Sequence, residues 1–460
     1  MSVDGLILLA FLAGCAILGL WGARLRKEGL ADYALAGRGL TVWAFVVLLV
    51  PAFYGGVLGV GEFSCRHGFC EWTVLALPYY VFAILYAVFL IPRMRRVEGL
   101  TIPDHLGKCY GKLATLWGAF LVFILACPAD GALMGGTLMS YVLGIPKPWA
   151  MALTLLVAFG LLRRGGLRSE LWAGTLQFFF MFGGFALLVA AVLSRAAWKP
   201  ALSGLPSGFL SLGGDLSWRQ RAAWWLIALW TFVDPTLHQR VLAAESVRSA
   251  RRGLLSSVLF WAFFDLMTVS AGMLSRALFP AIRDPLWAYP ALASAYLPPI
   301  LRGIFYCGLL ASILASTQAK ALIASLSLGK DLVGSIQGGN EREQERLAGR
   351  AFLVVGAAAW WLASRVPSVV KLWYGLGSAV IPAMGLLLAG AYAPRFRVPE
   401  RWAVLASASG FVISGGWAAA QYFHAFNPWG LDPLLPGLLA AGGLWSCGLL
   451  IRGAGGCSRL

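Results

Sequence analysis

Three residues of one apolar stretch place polar groups close together. Ser316 and Thr317 carry adjacent hydroxyls, and Lys320 follows one helical turn later. Residues three and four apart share a helix face, and helical side chains lean towards the N-terminus, so the Lys320 ammonium should lie over both hydroxyls. Oxygen ligands suit hard cations. The alternative is that each hydroxyl bonds back to its own helix.

Charged residues inside apolar stretches are the second chemical signal. Lys320, Asp130 and Asp265 all have apolar neighbours on both sides. A lysine at the centre of a membrane span costs roughly 2.5–3.5 kcal/mol, so it should have a partner. A carboxylate in a low dielectric finds a cation or takes up a proton. We therefore expect both acids to be functional; a structural charge pair is the alternative.

The elements that must position these residues are membrane spans. Of the 460 residues, 59% are apolar and 12% are charged, about half the roughly 25% charge of soluble proteins. One core could not bury so much apolar surface, and 20 Trp and 55 Gly fit a helical membrane protein. This excludes a soluble enzyme, a disulfide scaffold and a β-barrel. We predict thirteen spans, near residues 4–23, 41–64, 71–92, 113–143, 148–162, 169–194, 221–241, 253–278, 298–328, 348–364, 367–392, 402–423 and 432–451.

The distribution of Lys and Arg predicts the orientation. The net charge is +17, and the basic residues concentrate in the connections that follow odd-numbered spans, from Arg24 onward. Basic loops stay in the cytoplasm, so we expect an inner (plasma) membrane protein with its N-terminus outside and its C-terminus cytoplasmic. Nucleic acid is not an expected partner; the lipid bilayer is. Cys65 and Cys70 share one loop, where free thiols are expected and a disulfide is the alternative.

Two of the spans contain helix breakers. The second carries Pro-Ala-Phe-Tyr-Gly-Gly at residues 51–56, and the seventh carries Asp234-Pro235. These spans lie five apart, so they enter the bilayer from opposite sides, and spans 2–6 and 7–11 can form two inverted repeats. Corresponding breaks in two halves mark a transporter binding site near the midplane. Tyr54, Trp230 and Phe232 flank the breaks and could stack on a solute or pack in the core.

This organisation predicts five segments. They are a first helix and loop (1–40), the first repeat (41–195), an external loop (196–220), the second repeat (221–394) and spans 12–13 with the C-terminus (395–460).

Five short motifs resemble the sodium:solute symporter family, which includes proline permeases and sodium/glucose cotransporters. The similar segments are DYALAGR at 32–38, TIPDHL…YG at 101–111, GGLR…W…LQ at 165–177, DP…QR…AA…ARRG at 234–253 and AST at 315–317. The resemblance implies an all-α membrane protein with thirteen helices in a leucine-transporter-type, five-plus-five inverted repeat. It also implies a symporter that takes up a small organic solute by alternating access, driven by sodium.

The family resemblance also implies where the cation and the solute bind. The cation site would use carbonyls near Pro51, Tyr54 and Ile313 with the hydroxyls of Ser316 and Thr317. Helices four and nine approach the site in this family, so we expect Asp130 to be the partner of Lys320. The residues expected at the solute are Phe53, Gly55, Gly56, Asp130, Trp230 and Phe232.

Three departures from the family pattern question the role of sodium. Gly174 stands where the family has an Asp, Phe53 stands where some members have an acid, and Lys320 is an addition. We hypothesise that the Lys320 ammonium occupies or abuts the sodium site, which would make transport sodium-independent or proton-coupled. The alternatives are that Lys320 forms a structural ion pair away from the path, or that it reaches the membrane surface.

The remaining expectations concern ligands and competing functions. No cofactor or metal is expected beyond a sodium ion or a proton as coupling ion, and no phosphate loop indicates ATP use. An embedded Lys could hold a carboxylate and an embedded Asp an amine, so amino acids and organic acids rank ahead of sugars. No nucleophile–base arrangement predicts an enzyme. A receptor or sensor that keeps the fold without transport is the competing function.

Overall fold

The computed structural model describes residues 2–95, 99–195, 198–366, 368–424, 427 and 430–456. These residues form helices and no strand. The α-helices are α1 Val3–Arg24, α2 Leu30–Leu35, α3 Val42–Phe53, α4 Val57–His67, α5 Leu77–Leu85, α6 Ile91–Met94, α7 Ile102–Cys109, α8 Lys112–Leu125, α9 Ala129–Leu143, α10 Lys147–Gly165, α11 Leu167–Leu193, α12 Trp198–Leu202, α13 Trp218–Ile227, α14 Trp230–Val233, α15 Pro235–Ala243, α16 Val247–Leu278, α17 Ala288–Tyr296, α18 Pro299–Leu326, α19 Ser335–Gln337, α20 Glu341–Arg365, α21 Val369–Tyr392, α22 Glu400–His424 and α23 Leu434–Gly456.

Shorter helical turns link several of these elements. Wider π-type turns cover Trp72–Ala76, Tyr86–Leu90 and Ser327–Gly334, and 3₁₀ turns cover Ala36–Arg38, Pro285–Trp287 and Pro394–Phe396.

Ten of the described helices are long and apolar enough to cross a membrane, and the bent pair α3 and α4 makes an eleventh. The predicted spans 148–162 and 221–241 fall on α10 and on α13 to α15, which are not among these helices. The all-α membrane architecture is therefore confirmed, and the count of thirteen spans stays a prediction. The predicted start of the external loop, at residue 196, lies outside the described residues.

The second span is broken where the sequence predicts it. The Thr41 hydroxyl accepts a hydrogen bond from the Ala44 amide (3.3 Å) and caps α3, which contains Pro51 and ends at Phe53. Three residues separate Phe53 from Val57, where α4 begins, and the two helices are bent by 55°. Proline cannot donate to the helical ladder and glycine tolerates a sharp turn, which explains the bend.

The seventh span is broken into three short helices, α13, α14 and α15. Ser217 and Gln220 form a capping box at the start of α13. Asp234 caps α15, because its carboxylate accepts the Leu237 amide at 2.8 Å, and Pro235 follows as the first helical residue. The predicted interruption at Asp234-Pro235 is thus a capped helix start.

A third break divides the fourth span and was not predicted. The α8 helix ends at Leu125, and α9 begins at Ala129 after Pro128. This break places Asp130 in the first turn of α9. The exposed amides and the positive dipole end of a helix start stabilise a carboxylate there.

The core of the molecule surrounds α18. Almost every residue of this helix from Gly303 to Leu326 is buried, and it packs against α1, α3, α9, α11 and α20. Cys65 and Cys70 are both buried free thiols. One isolated bridge joins the two broken spans: the Leu40 amide donates to the Ala243 carbonyl and the Glu245 amide donates to the Leu40 carbonyl, both at 3.0 Å.

Candidate functional site

A cavity of about 140 Å³ lies between the broken spans and α18. Eight of the residues singled out in the sequence line it, contributed by the second, fourth, seventh, eighth and ninth spans. They are Phe53, Tyr54, Gly56, Asp130, Trp230, Asp265, Ser316 and Lys320.

An ion pair forms one wall of this cavity, here called the paired wall (Asp130, Lys320 and Trp373). The Lys320 ammonium donates to Asp130, the partner that we expected. The Trp373 indole donates to the same carboxylate oxygen at 2.9 Å. Asp130 is buried, and the Lys320 side chain retains 18% of its exposure, within the cavity. Lys320 therefore does not reach the membrane surface.

The hydroxyl pair of α18 packs closely against two glycines, one in the break of the second span and one in the first turn of α9. Any side chain added at Gly55 would overlap Ser316, and any added at Gly131 would overlap Thr317. Ser316 lines the cavity. The Thr317 hydroxyl donates to the Ile313 carbonyl at 2.6 Å, so two expected cation ligands bond each other. Glycine is required at both positions because a larger residue would collide with the side chain on α18.

A second part of the lining, here called the acidic wall, contains Asp265 and Glu71. The hydroxyls of Tyr54 and Tyr80 both donate to Asp265, and the Tyr54 hydroxyl also lies 2.6 Å from that of Thr268. Glu71 is buried and interacts electrostatically with Asp265. Neither acid has an ion-pair partner in the part of the chain that the structure describes. The acidic wall thus lacks the cation that the paired wall has.

Aromatic rings fill most of the remaining lining. Phe53 packs on Trp261 with ring centroids 4.5 Å apart and on Tyr79 at 5.7 Å. The Trp230 indole donates to the Asp234 carboxylate at 3.0 Å, which fixes the ring beside the break of the seventh span. These rings form an aromatic part of the lining.

Five expected site residues lie behind the lining of the cavity as the structure describes it. Pro51 and Ile313 are buried in their helices, and Gly55 and Thr317 form the close contacts described above. Phe232 faces away and packs against Tyr86 and Phe82. The structure therefore brings the charged residues and most of the aromatic residues together in the cavity lining. Pro51 and Ile313, whose carbonyls were expected to bind the cation, lie behind that lining.

The first sequence motif forms an ion pair outside the spans. The Arg168 guanidinium donates two hydrogen bonds of 2.8 Å to the Asp32 carboxylate. Burial alone would raise the pKa of Asp32, but the hydrogen bonds and the charge of Arg168 outweigh it and hold the pKa below 3.8. This pair joins α2 to the start of α11.

Comparison with known proteins agrees with the motifs. The model of the sodium:solute symporter family matches residues 33–397. The chain belongs to this family. The sodium/pantothenate symporter of Haemophilus influenzae is 24% identical over 391 residues, with 81% of this chain and 80% of that protein covered. The sodium/proline symporter of the same organism is 25% identical over 405 residues, with 78% of each covered.

A solved structure shows the same fold. The substrate-bound, outward-open state of a Na⁺-coupled sialic acid symporter aligns with a TM-score of 0.81 at 13% identity, over 97% of this chain and 98% of that one. The predicted leucine-transporter-type fold class is confirmed apart from the number of spans. This sodium:solute symporter family member is a multi-pass membrane protein of a family of secondary transporters.

Several cavity residues of this family member were missed from the sequence. Glu71 lies directly before the turn Trp72–Ala76, and an acid at the first position of an apolar run is the signal that could have found it. Tyr80 and Trp261 lie mid-span among many other aromatic residues. Trp373 lies near the start of α21, and only the contact with Asp130 distinguishes it. Aromatic residues are common in membrane spans, so no sequence signal marks these three.

Proposed function

We propose that this protein moves a small organic solute by alternating access, and that the Lys320 ammonium replaces the sodium ion of its relatives, so that transport does not require sodium. The observation that carries this proposal is the Lys320–Asp130 ion pair beside Ser316. The solute would occupy the cavity between the broken spans.

The charge balance at Ser316 argues against a sodium ion. A cation held about 4 Å from the Lys320 ammonium is repelled by about 4 kcal/mol at an effective dielectric constant of 20. The Asp130 charge offsets part of this repulsion, but its Oδ2 atom is already hydrogen-bonded to Lys320 and Trp373. The Thr317 hydroxyl offers only a neutral oxygen. A fixed ammonium therefore fulfils the electrostatic role that a mobile cation would have.

Transport in proteoliposomes tests the proposal. Counterflow of labelled solutes should proceed at the same rate, within about twofold, in K⁺ and in Na⁺ buffers of equal pH and membrane potential. Uptake that rises steeply with external Na⁺ would contradict the replacement. A solute that binds but shows no exchange would instead favour a receptor or sensor.

A matched pair of lysine variants refines this experiment. Lys320→Ala removes the ammonium from the cavity, whereas Lys199→Ala removes one from an exposed position. If the ammonium replaces sodium, any activity left in Lys320→Ala should become stimulated by Na⁺, and Lys199→Ala should behave as the wild type. Equal loss of activity in K⁺ and Na⁺ for Lys320→Ala would assign Lys320 a structural role only.

A further inference from the structure

We propose that the cavity selects a cationic solute, an organic amine or quaternary ammonium compound, whose positive charge lies against Glu71 and Asp265. This inference rests on the proposed transport function and names the substrate class of the same cavity. It follows from the charges on the two walls and from the chemistry of the rings between them.

The first step is the charge inventory of the lining. Four carboxylates and one ammonium line the cavity. Lys320 neutralises Asp130. Asp234 caps α15 and accepts the Trp230 indole N–H, so the helix start stabilises its charge. Glu71 and Asp265 remain as acids that form no ion pair with a described residue.

The second step is the state of Glu71. This residue is 1% exposed, lines the cavity, and its Oε2 atom has no hydrogen-bond partner among the described residues. Buried carboxylates that lack a cation or a hydrogen-bond donor are costly, and two of them near each other repel. A positively charged ligand would supply both the missing charge and the missing donor or contact.

The third step distinguishes an organic cation from a metal ion. Phe53, Tyr79, Trp230 and Trp261 contribute aromatic rings to the lining. Aromatic faces attract ammonium groups through the ring quadrupole, which is the basis of aromatic cages for quaternary ammonium ligands. Metal ions such as Ca²⁺ and Mg²⁺ require several oxygen ligands instead.

The size of the cavity limits the solute. Its volume of about 140 Å³ resembles the roughly 150 Å³ of an engineered cavity that holds benzene, so about six to eight heavy atoms fit. An anionic solute would find its only cation already paired with Asp130. This inference therefore ranks organic cations ahead of the organic acids that Lys320 alone suggested.

A series of solutes with one shape and three charges tests this inference. The probes are choline (cation), 3,3-dimethylbutan-1-ol (its neutral isostere) and 3,3-dimethylbutanoate (anion). Binding to the purified full-length protein is measured by calorimetry, at one pH. Choline should bind at least tenfold more tightly than the neutral isostere, and the anion more weakly still. Equal or tighter binding of the neutral or anionic probe would overturn the inference.

Charge-removing variants locate the binding site for the cation. Asp265→Asn and Glu71→Gln should each weaken choline binding at least tenfold and leave the neutral isostere within twofold. Glu341→Gln, at an exposed helix start, serves as the control and should change neither. Choline binding that survives both cavity variants would overturn the inference. If a variant does not fold, the wild-type series still decides.

The outcome separates this inference from the proposed function. Choline binding without counterflow would remove the transport function and keep the ligand class. Counterflow of an anion by a protein that does not bind choline would keep the transport function and remove the ligand class.

Discussion

The buried acids on the two walls of the cavity differ in the partners that they have within the protein. On the paired wall, Asp130 receives an ammonium from α18 and an indole N–H from α21, so its charge is neutralised within the protein. On the acidic wall, Asp265 receives only tyrosine hydroxyls, and one oxygen of Glu71 receives no hydrogen bond from the described residues. All three acids are buried to a similar degree.

This contrast indicates that the two walls have different roles. A wall that carries its own counter-charge can keep its shape whether or not a ligand is present. A wall that lacks a counter-charge is stabilised by whatever cation or proton enters the cavity. The paired wall is therefore suited to structure and the acidic wall to ligand binding, and the following predictions test that difference from the largest effect to the smallest.

Removal of the ammonium should have the largest effect. Lys320→Met leaves Asp130 buried without its cation, and breaking a buried pair in this way costs about 3–5 kcal/mol. We expect a loss of that size in the free energy of unfolding in detergent, together with reduced counterflow in K⁺ buffer.

A double variant provides the control for this prediction. Asp130→Asn combined with Lys320→Met removes both charges and should recover at least half of the lost stability. A single variant that unfolds like the wild type would show that the paired wall does not depend on its ion pair.

Removal of one hydroxyl from the acidic wall should cost less. Tyr80→Phe deletes one of two donors to Asp265, and Tyr54 keeps the other. A hydrogen bond to an ionised or buried partner contributes about 1–3 kcal/mol. We expect a loss within that range in thermal unfolding, smaller than for Lys320→Met. Tyr79→Phe, at a neighbouring ring whose hydroxyl is not among these donors, should change stability by less than half as much.

The ion pair outside the spans should show the smallest effect and a defined pH dependence. Asp32 has a lowered pKa in the folded protein, so its pair with Arg168 stabilises the fold above the unfolded-state pKa near 3.9. This contribution is lost as the pH falls through the lower, folded-state pKa. Asp32→Asn should therefore cost about 1 kcal/mol near pH 7, and the difference from wild type should vanish in strong acid.

The measurement for Asp32 is thermal unfolding in detergent between pH 3 and pH 7. Glu28→Gln is the matched control, because Glu28 and Arg342 form a highly exposed pair at 3.5 Å that should contribute almost nothing. A constant difference between Asp32→Asn and wild type across this pH range would contradict the assigned role of the carboxylate.

The sequence predicted the elements that carry local signals. Pro51 with two glycines and Asp234-Pro235 are strong helix breakers, so the interruptions of the second and seventh spans could be located from single residues. Lys320 needed a partner because it lies in an apolar span, and the family resemblance selected Asp130 over Asp265. The all-α membrane architecture followed from composition alone.

The rest depended on three-dimensional contacts that no spacing reveals. The break at Pro128 resembles an ordinary proline in a membrane helix until the structure shows α9 beginning with Asp130 in its first turn. Glu71 resembles a loop acid until α16 brings Asp265 beside it. The role of Phe232 depended on the direction in which a short helix faces, which a one-residue shift of a helix break changes.

The bridge between Leu40 and the end of α15 has a mechanical consequence. It fastens the entry of the second span to the exit of the seventh by two peptide hydrogen bonds. The second and seventh spans are therefore connected at one end of the two helices. A displacement of either broken span at this end is therefore passed on to the other.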